Sequence, residues 1–143
     1  MKRLLILTAI LTLMVGAANS QVLKPVKWQI SFKKVSEGVY DIICKATVES
    51  GWHLYDTKLP ENGPLPTTFN IDEDETKDIE LVGEFKATTE PKTEKSEAFN
   101  MELKYFEGTV TFVQRVKLKG DKAKLFYQCR YFCSTGQGNQ RKS

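Results

Sequence analysis

Apolar and polar side chains alternate with a period of two along much of this chain, and no other feature constrains its fold as strongly. Val26, Trp28, Ile30 and Phe32 alternate with Lys27, Gln29, Ser31 and Lys33, which predicts a strand with one buried face. After a turn at Ser36, Glu37 and Gly38, Tyr40, Ile42, Cys44, Ala46 and Val48 share one parity, so the two segments should form a hairpin. A short aromatic strand is expected over residues 52–55, and the repeated prolines of 60–66 forbid a central strand there. Short strands are also expected near 67–71 and 79–85.

Phe99, Met101, Leu103 and Tyr105 then alternate with Asn100, Glu102 and Lys104. A turn at Glu107 and Gly108 leads to Val110, Phe112, Val116 and Leu118, predicting a second hairpin. A turn over 120–122 precedes the last expected strand, 124–129, with Leu125, Tyr127 and Cys129 on one parity. About seven short strands without a 3.6-residue period define an all-β chain, best read as an immunoglobulin-like antiparallel β-sandwich, with an antiparallel barrel as the alternative. Trp28, Ile30, Ile42, Phe112 and Val116 are the expected core.

Residues 1–20 have the layout of a signal peptide: Lys2 and Arg3, an apolar run over 4–15, then Gly16, Ala17, Ala18, Asn19 and Ser20. The apolar run is shorter than the roughly 20 residues that span a bilayer. The expected organisation is therefore a cleaved signal over 1–20, one β-sandwich domain over 21–133, and a polar tail over 134–143 without strand alternation. Loss of Lys2 and Arg3 takes the net charge from +3 to about +1, a balance that argues against nucleic acid as a partner. The acidic run Asp72, Glu73, Asp74 and Glu75 lacks the alternating ligands and the glycine of a calcium loop, so it reads as a solvated loop.

The three cysteines are an odd number for an exported chain. Cys44, between Ile42 and Ala46 on the apolar parity, is expected to be a buried thiol without a disulfide partner. Cys129 and Cys133 are near enough in sequence for a disulfide and follow the last strand, where a loop could expose them. A ring that short stabilises by only about 2 kcal/mol, against roughly 4 to 5 kcal/mol for a long one. The pair is thus either a local clasp or a reactive couple, and Arg130 between the sulfurs would favour a thiolate. Cys44, Cys129, Cys133 and the single histidine, His53, could in principle supply a zinc set. A core-facing Cys44 and an oxidising compartment argue against it, so no metal is expected. His53 also lacks the nucleophile context of a hydrolase.

Several of these pieces occur in a familiar order: Gly51-Trp52-His53-Leu54-Tyr55; Lys95-Ser96-Glu97 followed by the alternating 99–116 region; and Tyr127-Gln128-Cys129 with Cys133. In this the chain resembles, over most of residues 25–133, the amino-terminal periplasmic domain of the thiol:disulfide interchange protein DsbD family. The resemblance implies an immunoglobulin-like sandwich with a redox-active cysteine pair, acting as a protein-disulfide reductase without a dissociable cofactor or small-molecule substrate. Its implied partners are a membrane electron-donor domain and periplasmic thioredoxin-like proteins, including disulfide isomerases and cytochrome c maturation factors. By position, Cys133 would form the mixed disulfide and Cys129 would resolve it, with Tyr55 and His53 beside the site. Three departures accompany the match: only three residues separate the cysteines, a polar tail follows them, and residues 87–93 carry no aromatic cap. The competing expectation is an exported immunoglobulin-like binding module with a purely structural disulfide.

Overall fold

The first alternating segment folds back as the sequence predicts: β1 (Val26–Ser36) pairs antiparallel with β2 (Val39–Val48), placing Trp28 opposite Ala46 and Ile30 opposite Cys44. Gly38, at φ +71°, supplies the left-handed residue of the turn. The structure is a computed structural model that describes residues 24–120, 125, 127–135 and 140–142. The predicted signal segment, the turn after Gly120 and the middle of the polar tail lie outside the described residues.

The remaining strands are β3 (Trp52–Tyr55), β4 (Thr68–Ile71), β5 (Ile79–Ala87), β6 (Lys92–Ser96), β7 (Met101–Phe106), β8 (Thr109–Leu118), β9 (Tyr127–Arg130), β10 (Phe132–Thr135) and β11 (Gln140–Lys142). They form a four-stranded sheet in the order β1-β2-β8-β5, a five-stranded sheet β11-β10-β3-β7-β6, and a two-stranded ribbon β4-β9. All pairings are antiparallel, and no helix occurs among the described residues. The fold is an immunoglobulin-like antiparallel β-sandwich.

Its core forms where the inner faces of the two sheets meet. Ile42, Cys44, Ala46 and Val48 from β2, with Val110, Phe112 and Val116 from β8, pack against Leu54, Phe106 and Cys133 of the other sheet. Ile42, Leu54 and Phe112 are fully buried, each side chain contributing about 1.5–3 kcal/mol of apolar transfer. Trp28 and Ile30 are half-buried against this core. Phe32 shares their parity but is 60% exposed. As an edge strand, β1 has a neighbour on one side only, so its apolar residues lose one flank of cover.

The predicted second hairpin does not form. β7 pairs with β3 and β6, whereas β8 pairs with β2 and β5, and the turn at Glu107 and Gly108 carries the chain from one sheet to the other. The cause lies in two adjacent residues: Tyr105 and Phe106 are both buried, on opposite faces of β7. Phe106 meets Phe112 edge-on across the core at 5.5 Å. Tyr105 joins Tyr55 and Leu103 in a small second cluster on the outer face, against which Leu59 packs from the proline-containing loop.

Three strands fall where no alternation is visible. β6 and β11 are sheet edges held by backbone pairing, so they need no apolar face. In β10, Cys133 and Ser134 are both buried, which removes the polar member of the alternation. The polar tail expected from residue 134 onward therefore contains the end of β10 and all of β11.

Candidate redox site

Tyr127, Cys129, Tyr131 and Cys133 share one parity, and the segment carrying them stays extended while changing sheets. β9 pairs with β4, setting Cys129 opposite Phe69; after Tyr131, β10 pairs with β3, setting Cys133 opposite Leu54. Four extended steps separate residues by up to about 13 Å. A disulfide needs Cα atoms within about 7 Å. Cys129 and Cys133 are accordingly not at disulfide distance, and none of the three cysteines forms a disulfide here. The expected ring would require a tight turn where the chain makes a crossover between sheets.

Exposure also differs from the sequence expectation. Cys133 is fully buried in the sandwich core beside Leu54 and Phe106, while Cys129 is half-buried at its margin. Cys44 is fully buried on β2, flanked by Ile30 and Phe112. It is not isolated, because Cys129 is a neighbouring group that influences its ionisation. Sequence reasoning missed this contact because the two lie on strands far apart in the chain, and alternation records only which face a residue takes.

The two acidities differ. The neighbouring Cys44 thiol holds Cys129 below the ordinary thiol range, with burial opposing the shift. The same neighbour relation, reinforced by burial, pushes Cys44 up. Of the two, ionisation is favoured at the half-buried Cys129 and disfavoured at the fully buried Cys44. Arg130 has no part in this: it is exposed, on the other face of β9, and its Nε donates to Gln128 Oε1 at 3.1 Å.

Aromatic rings surround the margin where Cys129 sits. Phe69, its cross-strand partner, stacks on Tyr127 at 5.6 Å and packs tilted against Phe85 at 5.5 Å. Phe85 stacks on Phe112 at 5.3 Å, and Tyr131 packs on Trp28 at 5.4 Å. The aromatic cover absent from residues 87–93 is therefore supplied by β4, β5 and β9. Alternation around Phe69 and Phe85 was the available signal, but not their proximity to sulfur.

His53 and Tyr55 lie on the outer face of β3, opposite to the face bearing Leu54 and Cys133. His53 stacks on Tyr105 at 4.0 Å, with Nε2 2.9 Å from Glu107 Oε1 and Nδ1 3.4 Å from Glu94 Oε1. Tyr55 Oη lies 2.9 Å from Ser134 Oγ. The sheet itself separates His53 from the inward-facing cysteines, so the four residues of the conceivable zinc set do not converge.

No model of a known protein family matches the chain, nor does any curated protein. Among solved structures, its fold is similar to the N-terminal periplasmic domain of ScsB from Proteus mirabilis, with a TM-score of 0.61 and 13% sequence identity. The match covers 85% of this chain and 44% of that one, so the chain spans less than half the length of its neighbour. At this identity the likeness is one of fold.

Proposed function

We propose that this protein is an exported thiol–disulfide exchange domain, working in the periplasm and passing electrons to thioredoxin-like proteins through Cys129. One observation carries the reading: of the three cysteines, Cys129 alone is half-buried at the core margin, where a partner can reach it, while Cys44 and Cys133 are fully buried. The Cys129 thiolate attacks one sulfur of a partner disulfide, forming a mixed disulfide while the partner's other sulfur departs and takes a proton from water. A donor dithiol, supplied by a membrane electron-donor domain, restores the reduced state. No dissociable cofactor is needed.

The fold likeness to a periplasmic domain and the signal-like residues 1–20 support the exported location. In the resemblance to the DsbD family, Cys133 makes the first attack; here its complete burial favours Cys129 in that role. The structural-clasp alternative gains nothing from an extended segment that keeps Cys129 and Cys133 apart.

The test is exchange between the reduced protein and oxidised thioredoxin, followed by acid quenching and thiol counting. Wild type should reduce thioredoxin, and Cys129→Ser should abolish the reaction. Equal rates for the two proteins would remove Cys129 from the mechanism.

A further inference from the structure

We propose that the outer face of the four-stranded sheet docks on anionic phospholipid headgroups through Lys27, Lys45 and Lys86. This interaction goes beyond thiol exchange and does not depend on which cysteine reacts.

Register across the sheet defines the face. Lys27 stands beside Thr47 and Thr109, Gln29 beside Lys45 and Thr111, and Ser31 beside Ile43, Val113 and Lys86. These positions alternate with the buried Ile42, Cys44, Ala46 and Phe112, so their side chains point away from the core. None of these three rows contains a carboxylate. The two rows beyond them are compensated: Asp41 lies between Lys33 and Arg115 and accepts two hydrogen bonds from the arginine, while Glu80 stands opposite Lys117. Glu84, in the irregular stretch of β5, is paired with Lys58 at 2.8 Å. Lys27, Lys45 and Lys86 are exposed and form no salt bridge among the described residues.

The paired positions of this face carry six cations and two carboxylates, more positive charge than the net +3 of the whole chain. Such a concentration draws an anionic partner. The composition of the face favours lipid over protein. Protein interfaces are centred on aromatic or arginine anchors and are poor in lysine. Here the centre is the half-buried pair Ile43 and Val113, no aromatic residue takes a paired position on the face, and Arg115 is already held by Asp41. Lysine is a hydrated point charge on a flexible stem, suited to phosphates spread over a surface. Four strands and nine paired residues of β2 present an area of about 14 by 30 Å, wide enough for several headgroups. Docking there leaves the core side of the sheet, where the cysteines lie, turned away from the lipid.

Vesicle flotation of the purified protein provides the test. At about 0.1 M salt, phosphatidylcholine vesicles containing phosphatidylglycerol should carry the protein, and about 1 M salt should release it, because the screening length falls from about 10 Å to about 3 Å. Phosphatidylcholine alone measures binding that owes nothing to charge, including that of the apolar run over 4–15. Lys27→Gln, Lys45→Gln and Lys86→Gln together should weaken charge-dependent binding by about fivefold per lysine. Lys92→Gln, Lys95→Gln and Lys104→Gln together, on β6 and β7 of the other sheet, give the same net charge and should bind as wild type. Lys45→Gln alone, with a loss of about fivefold, keeps the test valid if the first triple variant fails to fold. Equal losses in the two triple variants would overturn the assignment to this face. Equal wild-type binding to both kinds of vesicle would overturn the attraction to anionic lipid, and binding to poly-glutamate without binding to phosphatidylglycerol would replace lipid with an acidic protein.

Discussion

Tyr55 Oη and Ser134 Oγ lie 2.9 Å apart, joining β3 to β10 through a buried hydrogen bond between residues 79 positions apart. Both residues are 5% exposed, so neither hydroxyl can exchange this partner for bulk water. The bond helps to fix β10, and with it the inward placement of Cys133 opposite Leu54.

Removing one hydroxyl while leaving the other should therefore cost more than removing both. Ser134→Ala and Tyr55→Phe are each expected to destabilise by about 1–3 kcal/mol, and the double-mutant coupling should exceed the smaller of the two losses, at about 1–3 kcal/mol. Urea unfolding of the four proteins provides the cycle. Strict additivity would show that the bond contributes nothing.

The neighbouring Cys44 lowers the Cys129 thiol, which gives a pH dependence of known sign. A depressed Cys129 pKa means that its alkylation rate in wild type should rise at a pH below the ordinary cysteine range of about 8.5. Cys44→Ala should move the profile upward. By linkage, the thiolate contributes stability that is present above the unfolded thiol pKa and lost as pH falls through the depressed folded value. Identical alkylation profiles in the two proteins would exclude Cys44 as the cause.

How much of this was legible in the sequence can be judged residue by residue. Ile42, Cys44, Ala46 and Val48 announced their burial because β2 has one face on the core and the other turned outward. β7 defeated the same reasoning because Tyr105 and Phe106 are buried on opposite faces, and a strand covered on both sides hides which sheet it joins. β6 and β11 contain no apolar alternation to read. The Cys44–Cys129 contact was illegible for another reason: period-two patterning orders residues within a strand but contains nothing about which distant strand lies across the core.

Register within the four-stranded sheet makes a sharp contrast between two phenylalanines. Phe112 is fully buried between Cys44 and Ala87 in the pairing, so Phe112→Ala should cost about 3–5 kcal/mol. Phe32 is 60% exposed, and Phe32→Ser should stay within about 0.5 kcal/mol. Thermal unfolding of both variants checks the assignment of faces. Similar losses at the two positions would contradict it.

Asp41 and Arg115, cross-strand neighbours on β2 and β8, are joined by two hydrogen bonds of 2.8 and 3.1 Å. Arg115 holds the Asp41 carboxyl below its usual range. The resulting stabilisation should be present above about pH 4 and disappear as pH falls through the depressed value. It should be small, because the arginine is half-exposed and screened by salt. The stability difference between wild type and Asp41→Asn should therefore shrink on acidification, and a difference independent of pH would contradict the ion pair.

A redox titration of the purified protein in glutathione buffers tests the central claim most directly. Acid-quenched samples, scored by mass for free thiols, should follow one reversible two-electron transition, with a tenfold change in the equilibrium for each ~30 mV, at a potential between about −180 and −300 mV. Thiols that never form a protein disulfide, or a bond that yields only below about −300 mV, would contradict an exchange function and leave the binding module in its place.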